Sequence, residues 1–313
     1  MKIMITGATG YVGGRLTQYF ARQGHSVIGT TRSLRNVPLG WPEGAKLVRL
    51  DSLALTKKDA LLLEGVDAII HLAAANEVRS REDPEAAMLE TCGGTRRLLE
   101  LAIAEGVGTF AFMSTIHVYG SPLRGRYDET AITRAAYPYS ISHKAAEDYV
   151  FAVHDAGKIR GLSVRLSNAI GAPAWKGIDR WTLVGNDLAR QVVSSGKMNI
   201  RSPNQWRDFV PMKDVCQAMA LLLEGDGDLS DGIFNLGGDL ALTIMDIAML
   251  MQNAAKTVLG MDVEITSQEV VARSVQCPYT INVERLRRFG FAPSGHVGLR
   301  EELNRTLELL KEA

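Results

Sequence analysis

The sequence predicts an α/β protein in which a doubly wound, mainly parallel sheet carries a smaller C-terminal lobe. Three observations predict it. Apolar strand-like runs alternate with helical periodicity through the first half, a glycine loop joins the first run to the first helix, and the rhythm breaks beyond about Asn168. The strand runs are Lys2–Thr6, Ser26–Thr31, Lys46–Asp51, Ala68–Leu72, Thr109–Ser114 and Leu162–Leu166, with helical stretches such as Val12–Gln23 and Ala86–Glu105 between them. Pro173, Trp175, Gly177 and Trp181 then mark an irregular segment, and helices are expected at Asp214–Leu223 and Leu242–Leu259. Residues 1–167, rejoined by 206–238, are expected to form the ligand-holding domain; residues 168–205 and 239–313 form the lobe that closes over it.

The first element and its loop carry the strongest signal. Lys2–Thr6 runs directly into Gly7-Ala8-Thr9-Gly10-Tyr11-Val12-Gly13, which opens the first helix. Gly7 permits a tight turn, Gly10 lets a pyrophosphate approach the backbone, and Gly13 lets helix and strand pack closely. Free N–H groups at the helix start favour the negative charge. Strand, loop, helix and second strand follow in the order a dinucleotide site needs, so the sheet is expected to be of Rossmann type.

Composition bounds the rest. A chain of 313 residues, 46% hydrophobic and 22% charged, can bury a full core. Lys+Arg and Asp+Glu both total 35, a balance that argues against nucleic acid or an anionic membrane as partner. Cys92, Cys216 and Cys277 lack the close spacing of a zinc site or disulfide framework, so free thiols and no metal are expected. Met1–Ile5 reads as strand with no leader before it, and no apolar run reaches membrane-spanning length. A cytoplasmic protein is expected.

The spacing GxxGxxG resembles the short-chain dehydrogenase/reductase superfamily. Further landmarks are similar to its extended branch, the nucleotide-sugar epimerase/dehydratase family: His71-Leu72-Ala73-Ala74-Ala75, Asp83-Pro84, Gly94-Thr95, Thr115 to Gly120, Arg165 to Asn168 and Arg207-Asp208-Phe209-Val210. A weaker match to the family's late arginine and its ending falls on Arg273 and Phe289 to Pro293. The resemblance spans most of the chain and implies a nicotinamide cofactor held by Gly7, Thr9, Gly10, Tyr11, Val12, Gly13, Thr31, Leu72, Ala73 and Ala74. Asp51 resembles the family residue that contacts adenine, and is otherwise a helix N-cap or turn former.

NAD enzymes of this kind usually end the second strand with an acidic residue on the ribose 2′-hydroxyl. Here Thr31-Arg32-Ser33 stands in its place, with Arg35 close behind. A guanidinium there clamps a 2′-phosphate and no neighbouring carboxylate repels it, so NADP(H) is expected ahead of NAD. The bland alternative is that Arg32 is a solvated loop charge.

The resemblance implies hydride transfer at C4 of the nicotinamide, helped by a Ser/Thr, a Tyr and a Lys. The resemblance assigns Thr115 to the hydroxyl role and Lys144, which begins Lys144-Ala145-Ala146-Glu147, to lowering the tyrosine pKa and binding the nicotinamide ribose. The family spaces Tyr and Lys four apart, but Ser140 stands four before Lys144 and Tyr139 five before it. Four residues turn a helix about 40° past one full turn, and five about 140° past it. Two arrangements follow. A π-bulge absorbs one inserted residue and returns Tyr139 to Lys144, or a regular helix sets Ser140 beside Lys144 and turns Tyr139 away.

Dehydratases of the family carry Asp-Glu where this chain has Ile116-His117, so elimination of water is not expected. His117 would share the side of Thr115 if the strand persists, as a substrate-facing acid or base or as a structural histidine. A second departure is Thr91, where the family has Asn. Asn168, Arg207 and Arg273 match residues that bind the nucleotide diphosphate; the alternative for Arg207 is an ion pair with Asp208 or Asp214. The expectation is an NADP(H)-dependent oxidoreductase or epimerase of a nucleotide-activated sugar. Alternatives are a non-catalytic NADP(H)-binding regulator and a reductase of a small non-nucleotide ketone. The helices around Pro84–Glu105 and Ser140–Ala156 resemble those of a family dimer interface, so a homodimer is expected.

Overall fold

The computed structural model describes residues 1–34, 37–178, 180–225, 228–270 and 277–311. Arg35 and Arg273 lie outside the described residues. The strands, in chain order, are β1 (Lys2–Thr6), β2 (Ser26–Thr31), β3 (Ala45–Arg49), β4 (Ala68–His71), β5 (Thr109–Thr115), β6 (Gly125–Tyr127), β7 (Arg160–Leu166), β8 (Asn168–Ile170), β9 (Lys197–Ile200), β10 (Trp206–Pro211), β11 (Ile233–Leu236), β12 (Ala241–Thr243), β13 (Glu264–Ser267) and β14 (Tyr279–Ile281). The helices are α1 (Tyr11–Arg22), α2 (Glu77–Glu82), α3 (Pro84–Met88), α4 (Gly94–Ala104), α5 (Pro138–Asp155), α6 (Val184–Ser195), α7 (Met212–Glu224), α8 (Ile244–Leu259), α9 (Glu284–Arg287) and α10 (Gly295–Lys311).

Among the described residues a seven-stranded sheet runs in the order β11-β7-β5-β4-β1-β2-β3. Each neighbouring pair is parallel, with registers such as Ile3↔Val27 and Ile3↔Ala68. The chain winds outward from β1 through β2 and β3, then reverses through β4, β5, β7 and β11. The reversal leaves a crevice at the carboxyl ends of β1 and β4, the place where open α/β sheets bind ligands.

Alternation along the strands feeds two cores. Ile3 and Ile5 pack with Leu16 and Phe20 of α1 and with Val215 and Met219 of α7. Met4, Ile69, Phe110 and Phe112 pack on the other face with Leu98 of α4 and with Ala146 and Val150 of α5. The lobe has a core of its own, in which Leu188, Met198, Ile247, Met251, Leu303 and Leu307 meet. Its small sheets place β10 between β8 and β12 and pair β9 with β13. The returning segment is therefore split: α7 and β11 join the large sheet's layers, whereas β10 stands in the lobe's sheet beside β8. Late residues also return, since Val283, Leu286 and Phe291 enter the core around α1. Cys216 is buried and Cys92 and Cys277 are half-buried, all as free thiols. Among the described residues no helix is long and apolar enough to cross a membrane.

One buried carboxylate ties the lobe to the sheet. Glu302, in the middle of α10, meets Arg15 of α1 at 2.6 Å and accepts from the backbone N–H of Ala172 at 3.2 Å and of Lys213 at 3.0 Å. Arg15 also donates to the Ala172 carbonyl at 2.7 Å, and Tyr11 donates to the Gly171 carbonyl at 2.7 Å. Glu302→Ala strands a buried guanidinium and two amides. It should lower stability by about 3–5 kcal/mol in urea unfolding at neutral pH, the usual cost of removing half of a buried pair; a loss below about 1 kcal/mol would contradict this account.

Candidate active site

A cleft of about 730 Å³ opens at the sheet reversal, between the carboxyl ends of the strands and the lobe. The glycine loop forms its floor. Gly7 sits at φ +65° and its carbonyl accepts from Gly10 N–H at 2.9 Å. A Cβ on Gly13 would lie 2.2 Å from the Gly7 carbonyl oxygen, so only glycine lets α1 come down on the loop. No side chain caps the start of α1, which leaves its first N–H groups to whatever anion enters. Thr9, Gly10, Tyr11, Val12 and Gly13 all line the cleft, although the Tyr11 hydroxyl is spent on Gly171.

The facing wall is Leu72, Ala73 and Ala74. A chain of hydrogen bonds fixes it to the loop. Thr6 Oγ1 accepts from Leu72 and Ala73 N–H at 3.0 and 3.1 Å and lies 2.7 Å from His71 Nδ1. His71 Nε2 lies 3.1 Å from Thr95 Oγ1, which donates to the Thr91 carbonyl at 2.5 Å. With the Thr6 and Thr95 hydroxyl protons so placed, His71 is neutral with its proton on Nε2. Thr91, at the family's Asn position, accepts from Ala75 N–H at 3.1 Å and so serves the same wall. Ser114 Oγ, in the cleft wall, is buried without a partner. A glycine floor, open helix N–H groups and an orphaned hydroxyl fit a dinucleotide.

Thr31, Arg32 and Asp51 line the far end of the cleft. Asp51 also accepts from Leu53 N–H at 3.0 Å, so it shapes the turn as well. Arg32 is largely exposed and has a carboxylate beside it that its local sequence does not show: Glu90, also in the cleft wall, lies 3.4 Å from its guanidinium and 3.2 Å from that of Arg79.

The reacting end departs from both arrangements that the Tyr–Lys spacing suggested. Helix α5 is regular; the π turn lies instead at Leu89–Gly93, in the segment packed against it. Pro138 occupies the first turn, and Ser140 Oγ accepts from Ala136 and Tyr137 N–H at 3.2 and 3.3 Å while donating to the Tyr137 carbonyl. Ser140 is thus used up in capping. With the helix phase fixed there, Tyr139 faces the cleft, and the residue one turn on is His143, which also lines it. Their rings lie 4.2 Å apart between centroids, and His143 Nδ1 is 2.8 Å from the Tyr139 carbonyl. Tyr139 and Thr115 line the same cleft.

Lys144 stands on the next face. It pairs with Asp148 and is not among the cleft-lining residues. The expected partnership of Lys144 with the tyrosine and the ribose is therefore corrected: the helix phase turns the lysine, not the tyrosine, away. The signal was present in the sequence, since counting four forward from Tyr139 reaches His143.

Strand β5 ends at Thr115, and a 3₁₀ turn over Ile116–Tyr119 follows, so strand alternation does not place His117. The turn, pinned by His117 N–H donating to Thr115 Oγ1 at 3.3 Å, brings it into the cleft wall anyway. Asn168 donates to the Asp208 carbonyl at 2.9 Å, and Arg207 donates to Gln205 at 3.3 Å; both line the cleft. Asp208 is occupied by Gly238 and Leu240 N–H and Asp214 by Ser294, so the ion pairs considered for Arg207 do not form. Two further charged residues in the wall, besides Glu90, were not anticipated. Glu77 of α2 and Arg180 meet at 3.0 Å across the cleft. Partial burial alone would raise the Glu77 carboxyl, but Arg180 holds it below its usual range. Trp175 is buried, with its N–H on the Thr9 carbonyl at 3.2 Å, and Trp181 packs on the core around α1, its N–H on the Lys176 carbonyl at 2.9 Å.

Fold and cleft together define a protein of the extended short-chain dehydrogenase/reductase type. The model of the NAD dependent epimerase/dehydratase family matches residues 3–237, and the chain belongs to that family. It is 30% identical over 272 residues to dTDP-glucose 4,6-dehydratase of Streptomyces antibioticus, covering 81% of this chain and 77% of the relative. It is 28% identical over 269 residues to UDP-glucose 4-epimerase of Rhizobium leguminosarum bv. trifolii, covering 78% and 79%. In fold it is similar to the solved UDP-glucuronic acid 4-epimerase of Bacillus cereus in complex with NAD, with a TM-score of 0.82 at 21% identity over 100% of this chain and 97% of that one. The relatives include epimerases and dehydratases alike.

Burial drives His71 down to about 3 and His143 down to about 4. Both values lie below that of an unfolded histidine, so the folded state binds fewer protons there. The stability that neutral burial supplies is present above about pH 6.5 and is lost as pH falls toward the folded values. Scanning calorimetry should therefore show the melting temperature falling between pH 7 and pH 5, before most carboxylates titrate. A flat profile over that window would contradict neutral burial of the pair.

Proposed function

We propose that this protein transfers hydride between a nicotinamide cofactor and a carbon of a nucleotide-activated sugar, with Tyr139 handling the substrate proton. The observation that carries this reading is that Tyr139 and Thr115 line the same cleft as the glycine loop and Arg207. Bound there, the cofactor would supply or accept the hydride. Thr115 orients the substrate oxygen, Tyr139 exchanges a proton with it, and Asn168 and Arg207 hold the diphosphate. Burial lowers the Arg207 guanidinium from its usual value, which marks a cation short of compensating charge. Ile116 and His117 in place of the dehydratase acid pair support redox chemistry without loss of water. Exposed Leu89, Ile141 and Tyr149 on the helices matching the family interface support a symmetric homodimer.

Turnover of a 4-keto sugar nucleotide, or release of its nucleoside diphosphate sugar from the purified protein, tests the assignment. Tyr139→Phe should lower turnover by about 10²–10⁴, the contribution of a positioned acid, while Lys144→Ala should stay within about threefold of wild type, as expected of an exposed ion pair. Cofactor binding without turnover of any sugar nucleotide or simple ketone would leave a dinucleotide-binding regulator as the reading.

For the cofactor we favour NAD(H) over the NADP(H) that Arg32 suggested, because Glu90 already engages the guanidinium a 2′-phosphate would depend on. NADH should bind more tightly than NADPH by calorimetry, and Glu90→Gln should raise NADPH affinity about tenfold with little change for NADH, in keeping with a lost charged contact. Tighter NADPH binding by the wild type would reverse the choice.

A further inference from the structure

The reacting end holds Tyr139, Thr115 and His143, and the family's lysine is replaced there by an imidazole. What that exchange does to proton transfer follows from the hydrogen bonds of the ring, and it rests on Tyr139 being the proton donor proposed above. A backbone carbonyl can only accept, so the 2.8 Å contact between His143 Nδ1 and the Tyr139 carbonyl places a proton on Nδ1. The ring is buried against Phe112 and Tyr139.

The charged and titratable groups around it do not supply a compensating charge. Glu147 on its own helix is committed to Arg165, at 2.9 Å. Glu77 of α2 is committed to Arg180. His71 of β4 and His117 in the turn after β5 are themselves lowered by burial. With Nδ1 donating and the ring neutral, Nε2 is left as a lone-pair acceptor. An ammonium at this place would be a positive charge with donors to spare; the neutral imidazole spends its one donor on the Tyr139 carbonyl and offers only a lone pair at Nε2.

The geometry points to Tyr139 and His143 as the proton-handling pair of the site, with Tyr139 exchanging the substrate proton and His143 a neutral positioning residue where the family has a lysine. Tyr139 gives its hydroxyl proton to the oxygen of a carbonyl whose carbon takes hydride from a dihydronicotinamide. The phenol O–H bond breaks, the alcohol O–H bond forms, and solvent restores the phenol. Burial, with Glu77 nearby, pushes the Tyr139 hydroxyl well above the usual phenol range, so the resting side chain is the neutral phenol.

Two substrate-free measurements on the full chain test this. In ¹⁵N-histidine NMR, with the His143 signal identified by its loss in His143→Gln, the wild type should show a neutral ring protonated on Nδ1 from pH 8 to pH 5.5. In ultraviolet titration, the phenolate signal that Tyr139→Phe removes should lie above pH 10, beyond an ordinary tyrosine. His143→Lys should bring that signal down by about one to three units, the effect of an opposite charge at close range. A charged His143 near pH 6.5, a ring protonated on Nε2, or a Tyr139 that ionises below pH 9 in the wild type would each overturn the proposal. A lysine variant that folds and titrates like the wild type would do the same. If the lysine variant does not fold, the two wild-type readouts still decide. Because neither involves turnover, they stand apart from failure to reduce a sugar nucleotide, which would overturn the function alone.

Discussion

The cleft exists because the C-terminal lobe is held at one angle over the sheet, and that angle depends on the carboxylate of Glu302. It joins helix α1, which starts at the cofactor loop, to residue 172 where the chain enters the lobe and to the first turn of α7. An apolar contact could bury as much surface there, but would not dictate orientation. A buried ion pair contributes little over a hydrophobic substitute, yet is costly to leave half made. Packing around α10 supplies the stability, and Glu302 selects which packing is allowed.

A similar device acts from behind the site. Arg165 and Glu147 form a buried pair that locks α5 to β7, and Arg165 lies over the Tyr119 ring, 4.8 Å from its centroid. Tyr119 in turn donates to Asn235 of β11 at 2.7 Å. The helix that carries Tyr139 and His143 is thereby fixed against three strand ends. Rigid support of this kind is what lets a proton donor hold its geometry while the lobe above it accepts ligand.

Charge is distributed unevenly along the cleft. The histidines of its middle, where hydride would pass, are kept uncharged by burial, whereas Arg32 with Glu90 and Arg207 carry charge in its wall and the paired Glu77 and Arg180 act on Tyr139. A ligand with phosphates and a neutral reacting centre suits that pattern. The low-dielectric middle also strengthens the hydrogen bonds made there.

Much of this was legible in the chain itself. The strands of the large sheet follow from apolar runs, and the floor of the cleft follows from Gly7, Gly10 and Gly13, because backbone conformation and close approach are local demands that only certain residues meet. Thr115, Tyr139, Asn168 and Arg207 could be nominated because their motifs resemble those of the family. What the sequence could not decide was helix phase and contact between distant segments. The cap formed by Tyr137 and Ser140 sets which residues of α5 face inward, and so exchanged Lys144 for His143. Glu90 reached Arg32 across 58 residues, and Arg180 reached Glu77 across 103. Those pairings change the charge that cofactor and substrate meet, and they arise only when the sheet reversal and the lobe bring the segments together.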